Sequence, residues 1–164
     1  MATVVYKVGD DVSTDVIYPG RFMATVLPNE TPQFAFADDA TFKSKLKANQ
    51  HVAEKILVAG NNFGCGSSRE QAASCLKGYE LIIIGKSFAR IFLQNAINLG
   101  LRVVICPTIE ASEGDELELK GDEILNATNG QRFPIEPMPR SRQAVIDAGG
   151  LIPYTRQKLE KLAA

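Results

Sequence analysis

Gly60-Asn-Asn-Phe-Gly-Cys-Gly-Ser-Ser-Arg-Glu70 follows the apolar run Ile56-Leu57-Val58-Ala59 and leads into the helix-like Gln71-Ala72-Ala73-Ser74-Cys75-Leu76-Lys77. A strand that passes through a glycine turn into a helix leaves backbone N–H groups unpaired at the turn, where an anion can bind. The three glycines allow positive φ and close approach of the backbone to a ligand. Arg69 adds a planar fork suited to a carboxylate or phosphate. A cation in a first helical turn opposes the helix dipole, so its presence there argues for an anion beside it. Ser67 with Glu70 also fits a capping box, a reading that needs no ligand.

Two well-known glycine loops are excluded by spacing. A P-loop has four residues between its glycines and then Gly-Lys-Ser/Thr, whereas five residues separate Gly60 from Gly66 and no lysine follows. A dinucleotide fingerprint needs a third glycine where Arg69 stands. Both departures argue against nucleotide binding.

The chain of 164 residues is read as one domain, 1–164, with a helical tail from about 140 to 164. A net charge of −1 gives no electrostatic reason to expect nucleic acid or an anionic membrane. No apolar run approaches membrane-spanning length and no secretory signal opens the sequence, so a cytoplasmic location is expected. The three cysteines, Cys65, Cys75 and Cys106, lack metal-type spacing, and no metal ligands are assigned. Cys65 reads either as a small filler residue or as a reactive thiol in the turn.

Short apolar runs at 4–8, 56–59, 81–84 and 103–105 read as strands. Helices are expected at about 39–49, at 68–77 before Gly78, and from Ser87 to Gly100, the last with Phe88, Ile91, Phe92 and Leu99 as an apolar stripe. Residues 18–36 read as a long loop. Beyond Pro107, alternation at Leu117 and Leu119, the turn at 120–123 and Asn129-Gly130 predict antiparallel hairpins. A helix at 140–148 ends at Gly149-Gly150, and a polar helix follows Pro153. The fold class is therefore α/β, a mixed sheet flanked by helices.

Asn62-Phe-Gly-Cys-Gly-Ser-Ser-Arg-Glu70, Gly85-Lys-Ser-Phe-Ala-Arg-Ile-Phe92 and Asn95-Ala-Ile-Asn-Leu-Gly100 resemble the small subunit of 3-isopropylmalate dehydratase (isopropylmalate isomerase). That subunit is the free-standing counterpart of the aconitase swivel domain. Asp11-Val-Ser-Thr-Asp-Val-Ile-Tyr-Pro19 is similar to the family's Thr-Asp-x-Ile-x-Pro segment. The resemblance implies a swivelling β/β/α barrel-like domain. It also implies a hydro-lyase of leucine biosynthesis that converts 2-isopropylmalate to 3-isopropylmalate by dehydration and rehydration.

By the same resemblance, Ser67 is the base that takes a proton from the carbon beside a carboxylate, and Asp15 supports the catalytic network. Gly66, Ser68 and Arg69 hold substrate carboxylate, with Glu70 and Arg90 in support. The loop after Pro19 faces the variable substituent, where an apolar branch packs beside Met23, Ala24 or Val26 and Arg21 reaches a substrate carboxylate. Ala24 stands where homoaconitase-type relatives carry an arginine, which favours an apolar branch over homocitrate. Other branched malates, dimethylmalate or citramalate, stay open, as does a non-catalytic carboxylate-binding module. The resemblance implies no cofactor in this chain. A large subunit would carry a [4Fe-4S] cluster, held by several thiolates in a compact array that three scattered cysteines do not form.

Overall fold

The computed structural model describes residues 1–163. Strands β1 (Ala2–Lys7), β2 (Lys55–Ala59), β3 (Ile82–Gly85) and β4 (Arg102–Ile105) are parallel, and each is short, apolar and followed by a turn. Strands β5 (Glu116–Lys120), β6 (Glu123–Asn126) and β7 (Arg132–Pro134) join antiparallel, giving one mixed sheet in the order β4-β3-β2-β1-β5-β6-β7. The sheet curls until its two edges meet, where the Glu136 N–H donates to the Ile105 carbonyl at 2.8 Å.

Alternation along the parallel strands sorts side chains into two cores. Leu57 and Ile83 pack under the helices, while Ile56, Val58, Ile82 and Ile84 fill the inside of the curl with Leu117, Ile124 and Phe133. β1 carries a bulge between Val4 and Tyr6, so Val4 faces the inner core while Val5 and Tyr6 both face the helical one.

The helices are α1 (Thr14–Ile17), α2 (Ala40–Ala48), α3 (Gln71–Lys77), α4 (Arg90–Leu99), α5 (Arg140–Asp147) and α6 (Leu151–Ala163). Asp39 caps α2, its carboxylate accepting from the Thr41 N–H at 2.8 Å. Four sequence-based expectations change. The helix expected from Ser87 starts at Arg90, because the backbone of 87–89 is used against Phe63. The Phe63 N–H donates to the Ser87 carbonyl at 3.1 Å, and the Ala89 N–H to the Phe63 carbonyl at 2.9 Å. Ile91 leaves the apolar stripe, being 46 % exposed, and Phe92, Ala96 and Ile97 form the buried face. Residues 18–36 form two 3₁₀ turns, Gly20–Phe22 and Thr31–Phe34, around buried Tyr18, Thr31, Ala35 and Phe36. The last helix begins at Leu151, so Pro153 lies in its first turn, where a missing N–H costs nothing. Ala164 lies outside the described residues.

The glycine turn is rooted by Phe63, fully buried edge-on against Phe92 with ring centroids 5.2 Å apart. Gly64 then sits at φ +81°, where a Cβ would lie 2.2 Å from the Phe92 ring. Gly114 has a similar φ of +90° but open space around it. Gly64→Ala is therefore expected to lose roughly 3 kcal/mol in urea denaturation, strain and overpacking together, and Gly114→Ala roughly 1 kcal/mol from strain alone. Equal losses would show that the Phe92 contact does not limit the turn.

Candidate active site

The turn is held against the segment before α1 by short parallel pairing. The Gly64 N–H donates to the Val12 carbonyl at 2.8 Å and the Thr14 N–H to the Cys65 carbonyl at 2.8 Å. Side chains lock the approach. Asp10 accepts from the Asn61 N–H at 2.6 Å, Asn62 reaches Asp11 at 2.8 Å, and Ser87 Oγ accepts from the Asn62 N–H at 2.8 Å. Gly66 follows at φ +96° and turns the chain out to solvent.

Ser67 and Ser68 are exposed at this bend. Thr14, only 2 % exposed, lies beneath, its Oγ1 3.1 Å from Ser67 Oγ and 3.2 Å from the Ser67 carbonyl oxygen. Asn95 on α4 donates to the Ser68 carbonyl at 3.2 Å. The helix expected from residue 68 begins at Gln71, and Glu70 makes no side-chain capping bond. The capping box is thus not formed, since Ser67 Oγ engages Thr14 instead. With seven residues and a start four positions later, α3 offers Ser67 little dipole field.

Arg69 folds back under the turn with its side chain 12 % exposed. Its Nη1 donates to Asp15 Oδ1 at 2.6 Å and to the Tyr18 carbonyl at 2.8 Å, while its Nε is buried without an acceptor among the described residues. Asp15 Oδ1 also accepts from the Gly20 N–H at 2.9 Å. The Arg69 hydrogen bond, followed by that of Gly20, holds the Asp15 carboxyl below the usual aspartate range.

A cleft of ≈ 470 Å³ runs past these groups. Ser67, Ser68, Arg69 and Glu70 line one side, and Met23, Val26 and Pro28 the other. Gln71 ties the loop to α3 by donating to the Met23 carbonyl at 3.3 Å. Arg21 is not among the lining residues. It pairs with Asp38 through both Nη groups and lies 4.6 Å from the Phe22 ring centroid. Ala24 is likewise outside the lining, where Met23 and Val26 stand. Arg90 is exposed at the start of α4 without an ion pair or hydrogen bond among the described residues. Ser87 and Asn95 make the contacts to the loop that were expected of it. A larger cleft of ≈ 800 Å³ beside β4 holds none of the expected site residues.

Thr14, Asn95 and Gln71 were not singled out from sequence. Thr14 and Asn95 lie within the motifs that carry the resemblance, but only the pairing of 12–14 with 64–65 brings Thr14 under Ser67.

The Asp15–Arg69 link sets an acid limit. Because the folded carboxyl is depressed, its contribution is complete above the unfolded value of about 3.9 and lost as pH falls through the lower folded value. In carboxyl-carbon NMR, Asp15 is expected to titrate below ordinary aspartates and to move back up in Arg69→Gln. An Asp15 that titrates normally in the parent protein would sink the link.

Residues 11–107 match the family model described as the aconitase C-terminal domain. The chain is 44 % identical over 157 residues to the 3-isopropylmalate dehydratase small subunit of Methanosarcina acetivorans, covering 93 % of this chain and 94 % of that one. It is 42 % identical to the isopropylmalate/citramalate isomerase small subunit of Methanocaldococcus jannaschii, covering 94 % and 93 %. A crystal structure of 3-isopropylmalate dehydratase from Methanocaldococcus jannaschii superposes with a TM-score of 0.85 at 38 % identity, over 99 % of this chain and 95 % of that one. With its curled mixed sheet and its similarity to these proteins over nearly its whole length, the chain belongs to the 3-isopropylmalate dehydratase small subunits of the aconitase C-terminal domain family.

Proposed function

We propose that the chain is the small subunit of a cytoplasmic hydro-lyase that isomerises 2-isopropylmalate to 3-isopropylmalate in leucine biosynthesis, acting with a large subunit. The observation that carries this is the composition of one cleft. A serine pair and a half-satisfied arginine face an apolar wall of Met23, Val26 and Pro28. Arg69 lines this cleft, so its guanidinium is available there as a charge-assisted partner for a substrate carboxylate. The N–H groups of Gly66, Ser67 and Ser68, which have no acceptor among the described residues, add donors for the same anion. Met23, Val26 and Pro28 suit an isopropyl branch.

In this reading Ser67, on the same cleft, takes the proton from the carbon next to that carboxylate. One pKa unit requires ~1.36 kcal/mol, so an aliphatic hydroxyl needs several donors and exclusion of water to act as a base. Asp15, bonded to Arg69 and Gly20, serves to hold the guanidinium rather than to meet substrate.

An iron–sulfur cluster does not fit this chain. Cys75 lies in the helical core, Cys106 in the inner core and Cys65 on the turn. Among the described residues no three His, Cys, Asp or Glu side chains gather to hold a metal ion. The cluster is therefore assigned to the large subunit. Homocitrate is disfavoured because its extra carboxylate would find Arg21 already paired with Asp38. No described helix is long and apolar enough to cross a membrane.

In the complex reconstituted with its large subunit, Ser67→Ala is expected to lower kcat by about 10³-fold with assembly unchanged. Arg69→Lys should chiefly raise KM, by roughly 10-fold or more, because lysine cannot reproduce the fork. A substrate panel should rank isopropylmalate first, with citramalate and dimethylmalate behind it and homocitrate last. An active Ser67→Ala complex would refute the base, and a preference for homocitrate would refute the apolar pocket.

A further inference from the structure

We propose that Thr14 is a positioning residue for Ser67, its hydroxyl donating to Ser67 Oγ whenever that oxygen is deprotonated. The inference rests on Ser67 being the base. Thr14 Oγ1 lies between two acceptors of one residue, 3.1 Å from Ser67 Oγ and 3.2 Å from the Ser67 carbonyl oxygen. Its single proton can serve either, and rotation about one bond switches between them.

Three features fix the hydroxyl in place. The Thr14 N–H is tied to the Cys65 carbonyl, two residues before Ser67, at 2.8 Å. Its carbonyl accepts from the Tyr18 N–H at 2.9 Å, closing α1, which Ser13 caps through the Val16 N–H. Threonine is branched at Cβ, which restricts its χ1 rotamers. At 2 % exposure, water does not compete for Oγ1 from behind, whereas Ser67 itself is open to the cleft. A buried hydroxyl directed at an exposed one is the arrangement that favours charge on the exposed oxygen.

The proton balance is simple. When Ser67 takes the proton from the substrate carbon, an O–H bond forms on Ser67 Oγ and the C–H bond breaks, its electron pair staying with the carbon. Thr14 exchanges no atom. Its hydroxyl then turns toward the Ser67 carbonyl and accepts from the newly protonated Oγ. On the return step the rotation reverses. Threonine is required for the hydroxyl and its fixed position, and the methyl group contributes packing alone.

The test compares Thr14→Val, which keeps the shape and removes the donor, with Thr14→Ser, which keeps the donor. Both are measured in the complex with the large subunit, alongside Ser67→Ala. Thr14→Val should lower kcat about 10- to 100-fold, with KM within about twofold, since the lost bond matters only once charge develops. Its kcat should rise at higher pH than in the parent, because Ser67 loses a donor to its charged form. Thr14→Ser should restore both kcat and the pH profile. The inference is overturned by parental kcat and pH profile in Thr14→Val. It is equally overturned if Thr14→Ser is as slow as Thr14→Val, or if activity falls only in step with lost assembly. An active Ser67→Ala complex would instead defeat the underlying assignment of the base.

Discussion

Two backbone hydrogen bonds, from Gly64 to Val12 and from Thr14 to Cys65, hold the serine turn over the segment before α1. They join segments about fifty residues apart, and without them the serine turn would be an ordinary surface loop. Their geometry depends on Gly64, the residue that can occupy φ +81° against the Phe92 ring. Phe63 supplies the anchor immediately before it, buried between Phe88 and Phe92. The order of causes runs from an apolar anchor, to a glycine that reverses direction, to a short pairing that sets Ser67 over Thr14.

Arg69 shows how a cation can be held largely inside at modest cost. Its partner Asp15 is 67 % exposed, so only one member of the pair loses much of its hydration. Nη1 donates both to Asp15 and to the Tyr18 carbonyl, while the buried Nε has no acceptor among the described residues. Stability alone would favour satisfying it with another acceptor. On the proposed reading, the guanidinium also lines the cleft where a substrate carboxylate would sit.

The parallel strands and the position of the glycine turn are legible because both are local patterns. Short β-branched runs such as Leu81-Ile82-Ile83-Ile84 and a dense Gly-Ser-Ser-Arg segment need no knowledge of their neighbours. The helix starts were misplaced for a common reason. Ser87–Ala89 and Ser67–Ser68 have helix-compatible sequences, yet their hydrogen bonds are used elsewhere, against Phe63 and Thr14. Arg90 failed in the same way, since nothing in Lys-Ser-Phe-Ala-Arg reveals that Ser87 faces the loop while Arg90 faces water. The closing of the sheet through Ile105 and Glu136 was carried by the resemblance, because no alternation pattern encodes a pairing between residues so far apart.

With Ser67 as the proposed base, its placement over a buried donor gives a physical reason for dividing such chemistry between chains. A deprotonated serine is favoured only where water is excluded and donors are fixed, yet substrate must enter before the site can close. In this chain the donors are fixed permanently, from Thr14 below and Arg69 beside, while the opposite side is left open. Val16, Met23, Val26 and Leu27, all about half exposed or more, sit on α1 and the loop beside the serine turn as apolar surface suited to being covered. On the proposed reading, closure by the large subunit both dehydrates Ser67 and brings in the chemistry that the scattered cysteines of this chain do not provide. The rigid half of the site is encoded here, and the water-excluding half is left to the partner.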